Sequence, residues 1–322
     1  MKIAAYVGCL VGLIVLIMLP IRADFSDMVG TLVQAGWPLL WLIPYRAVFF
    51  VLYGVGWFTL LRPYNRERRI GLGYLLWVTT VRDAIDRLLP VASIGGSLAG
   101  VRLLRWRGLP MPPAGATVIV ETLLTLFTVF AFTALGLYLL VDLGIAGRGY
   151  AGMRFVLIVS LAIAISSALL LRYGSPFGRL HGLLFALIGI NAHADGAAAL
   201  DREIRDTLQR SGALITAGAL QFVAFASGAF EVWFALRLFA HPVSAKAAIM
   251  LESMTQAIRH VAFVVPAGVG VQEAGLVLFG NALGLSSELA LSVSMAKRMR
   301  EVLCGLPPLL SWQWSEARRL HR

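Results

Sequence analysis

Residues 81–96 read VRDAIDRLLPVASIGG, which places four charged side chains, a proline and two adjacent glycines inside an otherwise apolar segment, 72–104. A second apolar segment, 245–285, is interrupted in the same way, because residues 257–275 read AIRHVAFVVPAGVGVQEAG. Proline removes a backbone donor and glycine adopts conformations closed to other residues, so each interruption predicts a broken helix. The way these two broken segments fit among the uninterrupted ones decides the fold.

The rest of the chain is apolar enough to cross a membrane several times. Of 322 residues, 59% are hydrophobic and 14% charged, whereas roughly a quarter of the residues in soluble domains are charged. A helix needs about 20 apolar residues to cross the hydrocarbon core. The candidate spans are residues 3–21, 38–61, 114–141, 154–171, 213–236 and, with internal charges, 286–314. The sequence predicts an all-α, polytopic membrane protein of about 6–8 spans, folded as a single transmembrane domain over residues 1–322.

Broken helices inside a membrane are tolerated only where protein or a water-filled cavity surrounds them. Interrupted segments at corresponding places in two halves of a chain are typical of transporters built from inverted repeats. We therefore expect 72–104 to be a re-entrant segment that opens from one face of the membrane, and 245–285 to be one that opens from the other. The alternative is two chance kinks in ordinary spanning helices.

The distribution of basic residues predicts the orientation. Cytoplasmic loops of membrane proteins are enriched in lysine and arginine, and most of the basic residues outside the spans fall in four segments. These segments are 62–69, 102–107, 172–210 and 318–322. These basic segments lie on one side of the membrane only if 72–104 enters and leaves the membrane by the same face. This predicts a bacterial inner-membrane protein with cytoplasmic N- and C-termini and a cytoplasmic loop, 173–212, in which a charged helix begins with Asp201 as its N-cap.

Composition and motifs exclude several classes of function. No segment outside the spans is long enough for a soluble nucleic-acid-binding domain, so the net charge of +11 indicates topology and nucleic acid is not an expected partner. Cys9 and Cys304 form neither a disulfide framework nor a metal motif, and Gly268-x-Gly270 lacks the βαβ context of a nucleotide site. His260 has no metal-ligand spacing around it. We expect no metal, no cofactor and no catalytic residue.

Charged residues inside apolar segments each cost at least ~2.5–3.5 kcal/mol at mid-membrane, so they are candidates for function. The chain has seven such bases and seven such acids, which predicts a nearly neutral, paired set. The bases are Arg46, Arg82, Arg87, Arg259, Lys297, Arg298 and Arg300, and the acids are Asp83, Asp86, Glu121, Glu231, Glu252, Glu273 and Glu301.

Helical spacing predicts some of the pairs. Arg82 with Asp86, and Asp83 with Arg87, are four residues apart and of opposite charge, so they form either a structural clamp or part of a site. Glu252, Gln256 and Arg259 share one helix face. Arg46 has no local partner and needs a distant one, such as Glu121 or Glu231.

Arginine suits an anionic headgroup because its guanidinium binds phosphate through two parallel hydrogen bonds, and helix ends near the glycines add amide donors. The predicted headgroup-binding residues are Arg82, Asp83, Asp86, Arg87, Gly95, Gly96, Arg259, Gly268, Gly270, Gln272 and Glu273. The predicted supporting charges are Arg46, Glu121, Glu231, Glu252, His260, Lys297, Arg298 and Glu301. For any single residue the alternative is a structural salt bridge, and for His260 a hydrogen-bonded bundle histidine or a proton relay. Tryptophans and tyrosines near span ends, Trp57 among them, predict an aromatic belt.

Three stretches carry a resemblance to a known family. The run from Arg82 to Arg107, the 118–126 segment with Glu121, and Pro266-x-Gly-x-Gly-x-Gln-Glu-x-Gly with Lys297-Arg298 downstream resemble the HpnL branch of the flippase-like membrane proteins. That superfamily also contains the transmembrane region of lysylphosphatidylglycerol synthase. The resemblance implies an inner-membrane protein of hopanoid or related lipid metabolism, with lipid translocation as the inferred activity. Relatives often carry an acid after the glycine pair, where this chain has Ser97, so any role of that acid is either missing here or taken by Asp83 or Asp86.

We therefore expect a non-enzymatic lipid transporter whose partner is a membrane lipid: a hopanoid, an anionic phospholipid or a polyprenyl-phosphate. One alternative is a membrane enzyme that modifies lipid headgroups, with Asp86 or Glu273 as general base. Another is a scaffold for lipid-biosynthesis enzymes. The sequence leaves the oligomeric state open.

Overall fold

In the computed structural model, the described residues are 35–65, 67, 69–89, 95–145, 150–179, 194–262, 265, 268 and 270–320, with the single residues 30 and 33. The predicted first span, 3–21, and the two prolines of the broken segments, Pro90 and Pro266, lie outside them. The described residues form helices and no strand, which confirms the all-α prediction.

Most of the helices match apolar segments of the sequence. In chain order they are α1 (Leu42–Leu61), α2 (Leu72–Leu88), α3 (Gly95–Trp106), α4 (Met111–Asp142), α5 (Tyr150–Tyr173), α6 (Ala194–Leu208), α7 (Ser211–Leu238), α8 (Ala245–Val261), α9 (Val271–Ala282) and α10 (Ser287–Leu320). Among the described residues, three helices are long and apolar enough to cross a membrane: α1 with its flanking 3₁₀ turns, α4 and α7. They coincide with predicted spans, and all but the first residue of the charged segment 286–314 lies in the single helix α10.

Each broken segment forms an antiparallel helical hairpin. In the first hairpin, α2–α3, the Tyr74 hydroxyl donates to the Leu103 carbonyl at 2.8 Å, and the Gly96 amide donates to Asp86 at 2.9 Å. In the second, α8–α9, Arg259 donates to Gln272 at 2.9 Å. Both hairpins pair a helix of 17 residues with one of 12. At 1.5 Å per residue these helices are about 26 and 18 Å long, shorter than the ~30 Å hydrocarbon core.

The order of a long helix, a hairpin and a second long helix occurs twice. The first set is α1 to α4 and the second is α7 to α10. The two sets interlock, because α1 packs against α7, α4 packs against the second hairpin through α8, and α10 packs against the first hairpin through α2. Each hairpin is therefore held by the last long helix of the other set.

Glycines allow both of these crossings to be close. Gly136 of α4 lies directly against Ser253 of α8, and a Cβ atom there would overlap the Ser253 side chain. Gly305 of α10 lies against Leu88 of α2, where a Cβ would come within 2.7 Å of a methyl group. Small residues at helix crossings let backbones approach, which is how membrane helices gain packing energy.

One expectation about the 173–212 loop is wrong. Asp201 does not begin a helix, since α6 starts seven residues earlier, at Ala194. Asp201 is buried and accepts hydrogen bonds from the backbone amides of Phe177 (3.3 Å) and Gly178 (2.8 Å). Its carboxylate thus satisfies the free amides of the helical turn 176–179, and a tertiary contact has replaced the predicted local cap.

Candidate functional site

A cavity of about 620 Å³ lies where the two hairpins meet α4. Its polar lining comes from both hairpins: Arg82, Asp86 and Arg87 of α2, and Gln256, Arg259 and His260 of α8. Its apolar lining comes mainly from the long helices and includes Phe49, Val118, Leu123, Leu126, Leu171 and Phe225. The cavity therefore has a charged part and a hydrocarbon-like wall.

Arg82 is the most deeply enclosed base of the first hairpin. Its Nη2 donates to Glu121 of α4 at 2.7 Å, and its guanidinium lies over the Trp57 ring, 4.5 Å from the centroid. The Tyr53 hydroxyl also donates to Glu121 and is 2.9 Å from the Thr125 hydroxyl. Gly100 of α3 leaves room for the arginine, because a Cβ there would lie 2.8 Å from Arg82 Cδ. A guanidinium and a carboxylate are thus buried together among aromatic and hydroxyl groups.

Of the two local pairs predicted on α2, one is formed. Arg87 donates to Asp83 at 2.7 Å across one helical turn. Arg82 and Asp86 make no ion pair within 4.0 Å among the described residues, since Arg82 pairs with Glu121 instead. Asp86 accepts the Gly96 amide of α3. Ser97, the residue after Gly96, borders the cavity, as Asp86 does.

A single carboxylate joins the two hairpins. Glu301 of α10 is buried, and its Oε1 accepts hydrogen bonds from Arg87 of the first hairpin and from Arg259 of the second, the latter at 3.1 Å. Its Oε2 accepts one from Arg298 at 3.1 Å, and Arg300 lies 3.6 Å from Oε1. Four positive charges surround this one side chain.

Arg46 has the distant partners that its position in an apolar span requires. It lies 3.9 Å from Glu231, one of the two acids expected, and 3.6 Å from Asp83. Its guanidinium is 3.8 Å from the centroid of Phe49. Glu231 is shared with Arg300 of α10, so these charges link α1, α2, α7 and α10.

The second hairpin is attached to α10 by charged side chains. Arg298 donates to Glu273 at 3.0 Å and to the Gly268 carbonyl at 2.9 Å, and buried Lys297 donates to Glu252. Gly268 and Gly270 have φ values of 59° and 78°, which residues with side chains rarely adopt. The two glycines therefore shape the turn that leads into α9.

The structure divides the seven predicted headgroup-binding residues with polar side chains into two groups, and the four predicted glycines, Gly95, Gly96, Gly268 and Gly270, are not among the residues that line the cavity. Arg82, Asp83, Asp86, Arg87 and Arg259 border the cavity. Gln272 and Glu273 instead face α10, where both contact Ser294, each at 3.2 Å. All seven predicted intramembrane bases have an acidic partner within 4.0 Å. The expected pairing is therefore confirmed for the bases, whereas among the acids Asp86 has no base within that distance in the described part of the chain.

Sequence reasoning missed Tyr53 and misplaced Trp57. Trp57 was assigned to an interfacial aromatic belt, but it is fully buried against Arg82. An aromatic residue in an apolar span carries no local signal of a polar neighbour. His260 lies in the cavity wall with its Nδ1 2.8 Å from the Gln256 carbonyl. Within the described residues, no group of three or more His, Cys, Asp or Glu is placed to hold a metal ion.

The family model described as the lysylphosphatidylglycerol synthase TM region matches residues 6–306, which is most of the chain. No curated protein matches, and no solved structure matches.

Proposed function

Because the chain belongs to the family of the lysylphosphatidylglycerol synthase transmembrane region, we propose that it binds an amphipathic lipid and moves it across the membrane. The family and the long apolar helices make this a membrane protein related to lipid handling. The observation that carries the proposal is the cavity, whose polar lining comes from both hairpins and whose remaining wall is apolar.

The cavity suits the two parts of a lipid separately. A phosphate-bearing headgroup would contact the guanidinium groups that border the cavity, those of Arg82, Arg87 and Arg259, since charge-assisted hydrogen bonds to arginine are strong and geometrically specific. The acyl or polycyclic part would lie along Phe49, Leu126 and Phe225 and extend into the bilayer. This division keeps the charged group away from hydrocarbon, where it would cost several kcal/mol.

We propose that the two hairpins are re-entrant and that the two sets of helices form an inverted repeat within about 6–8 spans. The equal hairpin lengths, the crosswise packing and helices too short for the hydrocarbon core all support this arrangement. Small rotations of one set against the other would then open the cavity toward each face in turn. The basic loops support a bacterial inner-membrane location with both termini in the cytoplasm.

The resemblance to the HpnL branch makes a hopanoid-related lipid one candidate substrate, and the arginines make a phospholipid or polyprenyl-phosphate another. We propose transport in preference to headgroup chemistry. Of the two candidate general bases, Asp86 borders the cavity, whereas Glu273 is buried in an ion pair with Arg298. We propose lipid-biosynthesis enzymes as partners whether the protein moves the lipid or modifies its headgroup.

Reconstitution tests the proposal. The full chain is placed in vesicles with fluorescent phospholipid analogues, and the rate at which inner-leaflet label becomes accessible to an external quencher is compared with empty vesicles. We expect faster movement that falls in Arg259→Gln, while Arg102→Gln, which removes an exposed arginine of α3, stays at the wild-type rate. Equal rates with and without protein, across phospholipid and hopanoid probes, would reject transport. A chemically altered lipid in mass spectra would favour the enzyme.

A further inference from the structure

The intramembrane acids differ in whether they have a basic partner. Six of the seven pair with bases, but among the described residues no base lies within ion-pair distance of Asp86. The Oδ1 atom of Asp86 accepts the Gly96 amide at 2.9 Å, and no described group donates to Oδ2. Asp86 borders the cavity, so a ligand there would meet a carboxylate that no described base neutralises.

A base with unused donors lies one helical turn away. Arg82 precedes Asp86 by four residues, which places the two on the same face of α2, about 6 Å apart along the helix axis. The Arg82 side chain is 9% exposed and borders the cavity. Its Nε and Nη1 have no hydrogen-bond partner among the described residues. Buried donors without acceptors are unfavourable, so acceptor atoms are what this guanidinium lacks.

The charge balance argues against a purely anionic ligand. The predicted set of seven bases and seven acids is already neutral, and an added anion would lie beside Asp86, where like charges repel strongly in a low-dielectric site. A ligand that brings both a negative and a positive group keeps the cavity neutral. Hydroxyl groups could contact the same atoms, but charge-assisted hydrogen bonds are roughly twice as strong as neutral ones.

We infer that the cavity selects a zwitterionic lipid headgroup, whose phosphate contacts Arg82 and whose primary ammonium contacts Asp86. The inference rests on the proposed function, lipid binding in this cavity. It modifies the anionic headgroup expected from the sequence, because Asp86 adds a requirement for a positive group. Asp86 acts as a specificity residue that both attracts the ammonium and disfavours simple anions.

Native mass spectrometry of the purified full chain tests this with two lipids that differ in one group. Phosphatidylethanolamine carries the ammonium, and N-acetyl phosphatidylethanolamine with the same acyl chains replaces it with a neutral amide. We expect wild-type protein to bind the first about tenfold more tightly, the effect of one charge-assisted contact. In Asp86→Asn the ratio should fall to within about twofold. Arg82→Lys, which keeps the charge facing Glu121, should weaken both lipids and leave the ratio unchanged.

Controls separate this inference from the proposed function. Glu67→Gln, which removes an exposed acid, should leave the ratio at the wild-type value. Equal binding of the two lipids to wild-type protein overturns the inference without any variant, so the test survives if Asp86→Asn does not fold. If phosphatidylglycerol or a glucosyl diacylglycerol binds more tightly, zwitterion selection is wrong and lipid binding stands. If no lipid binds above the level of Thr122→Trp, which fills the cavity, the proposed function fails as well.

Discussion

Arg87 and Arg259 lie on different hairpins, yet both donate to the same atom, Oε1 of Glu301. Both arginines also border the cavity. The same two side chains therefore hold the hairpins to α10 and line the cavity in which we propose that the lipid binds. A bound anionic group would compete with Glu301 for them, which couples ligand binding to the packing of the hairpins against α10.

Glu301→Gln should destabilise the protein strongly. The substitution leaves the guanidinium groups of Arg87 and Arg259 without their shared carboxylate, and loss of one partner from a buried ion pair costs about 3–5 kcal/mol. The free energy of unfolding, measured by detergent titration in mixed micelles, should fall by that order. Glu316→Gln is the matched control, because Glu316 lies on the same helix and pairs with the exposed Arg102. An equal effect of the two substitutions would contradict a special role for Glu301.

The buried pair between Lys297 and Glu252 should show strong energetic coupling. Lys297→Met leaves a buried carboxylate uncompensated and should cost about 3 kcal/mol, whereas adding Glu252→Gln should restore most of the loss, since no isolated charge remains. A double-mutant cycle on unfolding free energies measures the coupling. The same cycle on the exposed pair of Lys246 and Asp142 should give a far smaller value. Similar coupling in the two pairs would show that burial does not set the strength.

The sequence predicted the positions of the helices well and the pairing of the charged side chains less well. The spans 38–61, 114–141 and 213–236 follow from apolar length, which is a local property, and the structure has helices there. The proline and glycine interruptions likewise indicated both broken segments. Helix spacing, by contrast, reports only neighbours one turn away, which is why the Arg87–Asp83 pair was expected correctly.

The acidic partner of Arg82 could not be predicted from helix spacing alone. The spacing favoured Asp86 as its partner, but α4 brings Glu121, 39 residues away in the chain, to within 2.7 Å. The choice depends on how α4 packs against the first hairpin, which the spacing of residues along one helix does not report. Trp57 was misplaced for the same reason, because nothing in an apolar span distinguishes a lipid-facing indole from one stacked on a buried guanidinium.

Gly96→Ala should separate the two helices of the first hairpin. A Cβ atom at this position would lie 2.6 Å from the Arg82 carbonyl and would overlap the Asp86 carboxylate. Because the first of these groups is backbone, the helices must move apart, and overpacking of this kind costs typically about 1–3 kcal/mol. Unfolding measurements should show this loss. Gly73→Ala, in the same hairpin with no atom within 4 Å of its Cβ position, should be neutral or slightly stabilising. Tolerance of alanine at Gly96 would mean that the hairpin is less closely packed than described.

Filling the cavity should stop transport without unfolding the protein. Thr122 of α4 borders the cavity and is exposed to it, so Thr122→Trp places an indole where the lipid would lie and needs no repacking of the core. The rate of lipid movement in vesicles should fall by about tenfold or more, as expected when the binding step itself is lost. Ala131→Trp adds the same side chain at an exposed position two to three turns further along α4, away from the residues that border the cavity, and should leave the rate unchanged. Unfolding free energies close to wild type in both variants would confirm that the difference arises at the cavity. Retention of most of the activity in Thr122→Trp would mean that the lipid follows another path through the protein.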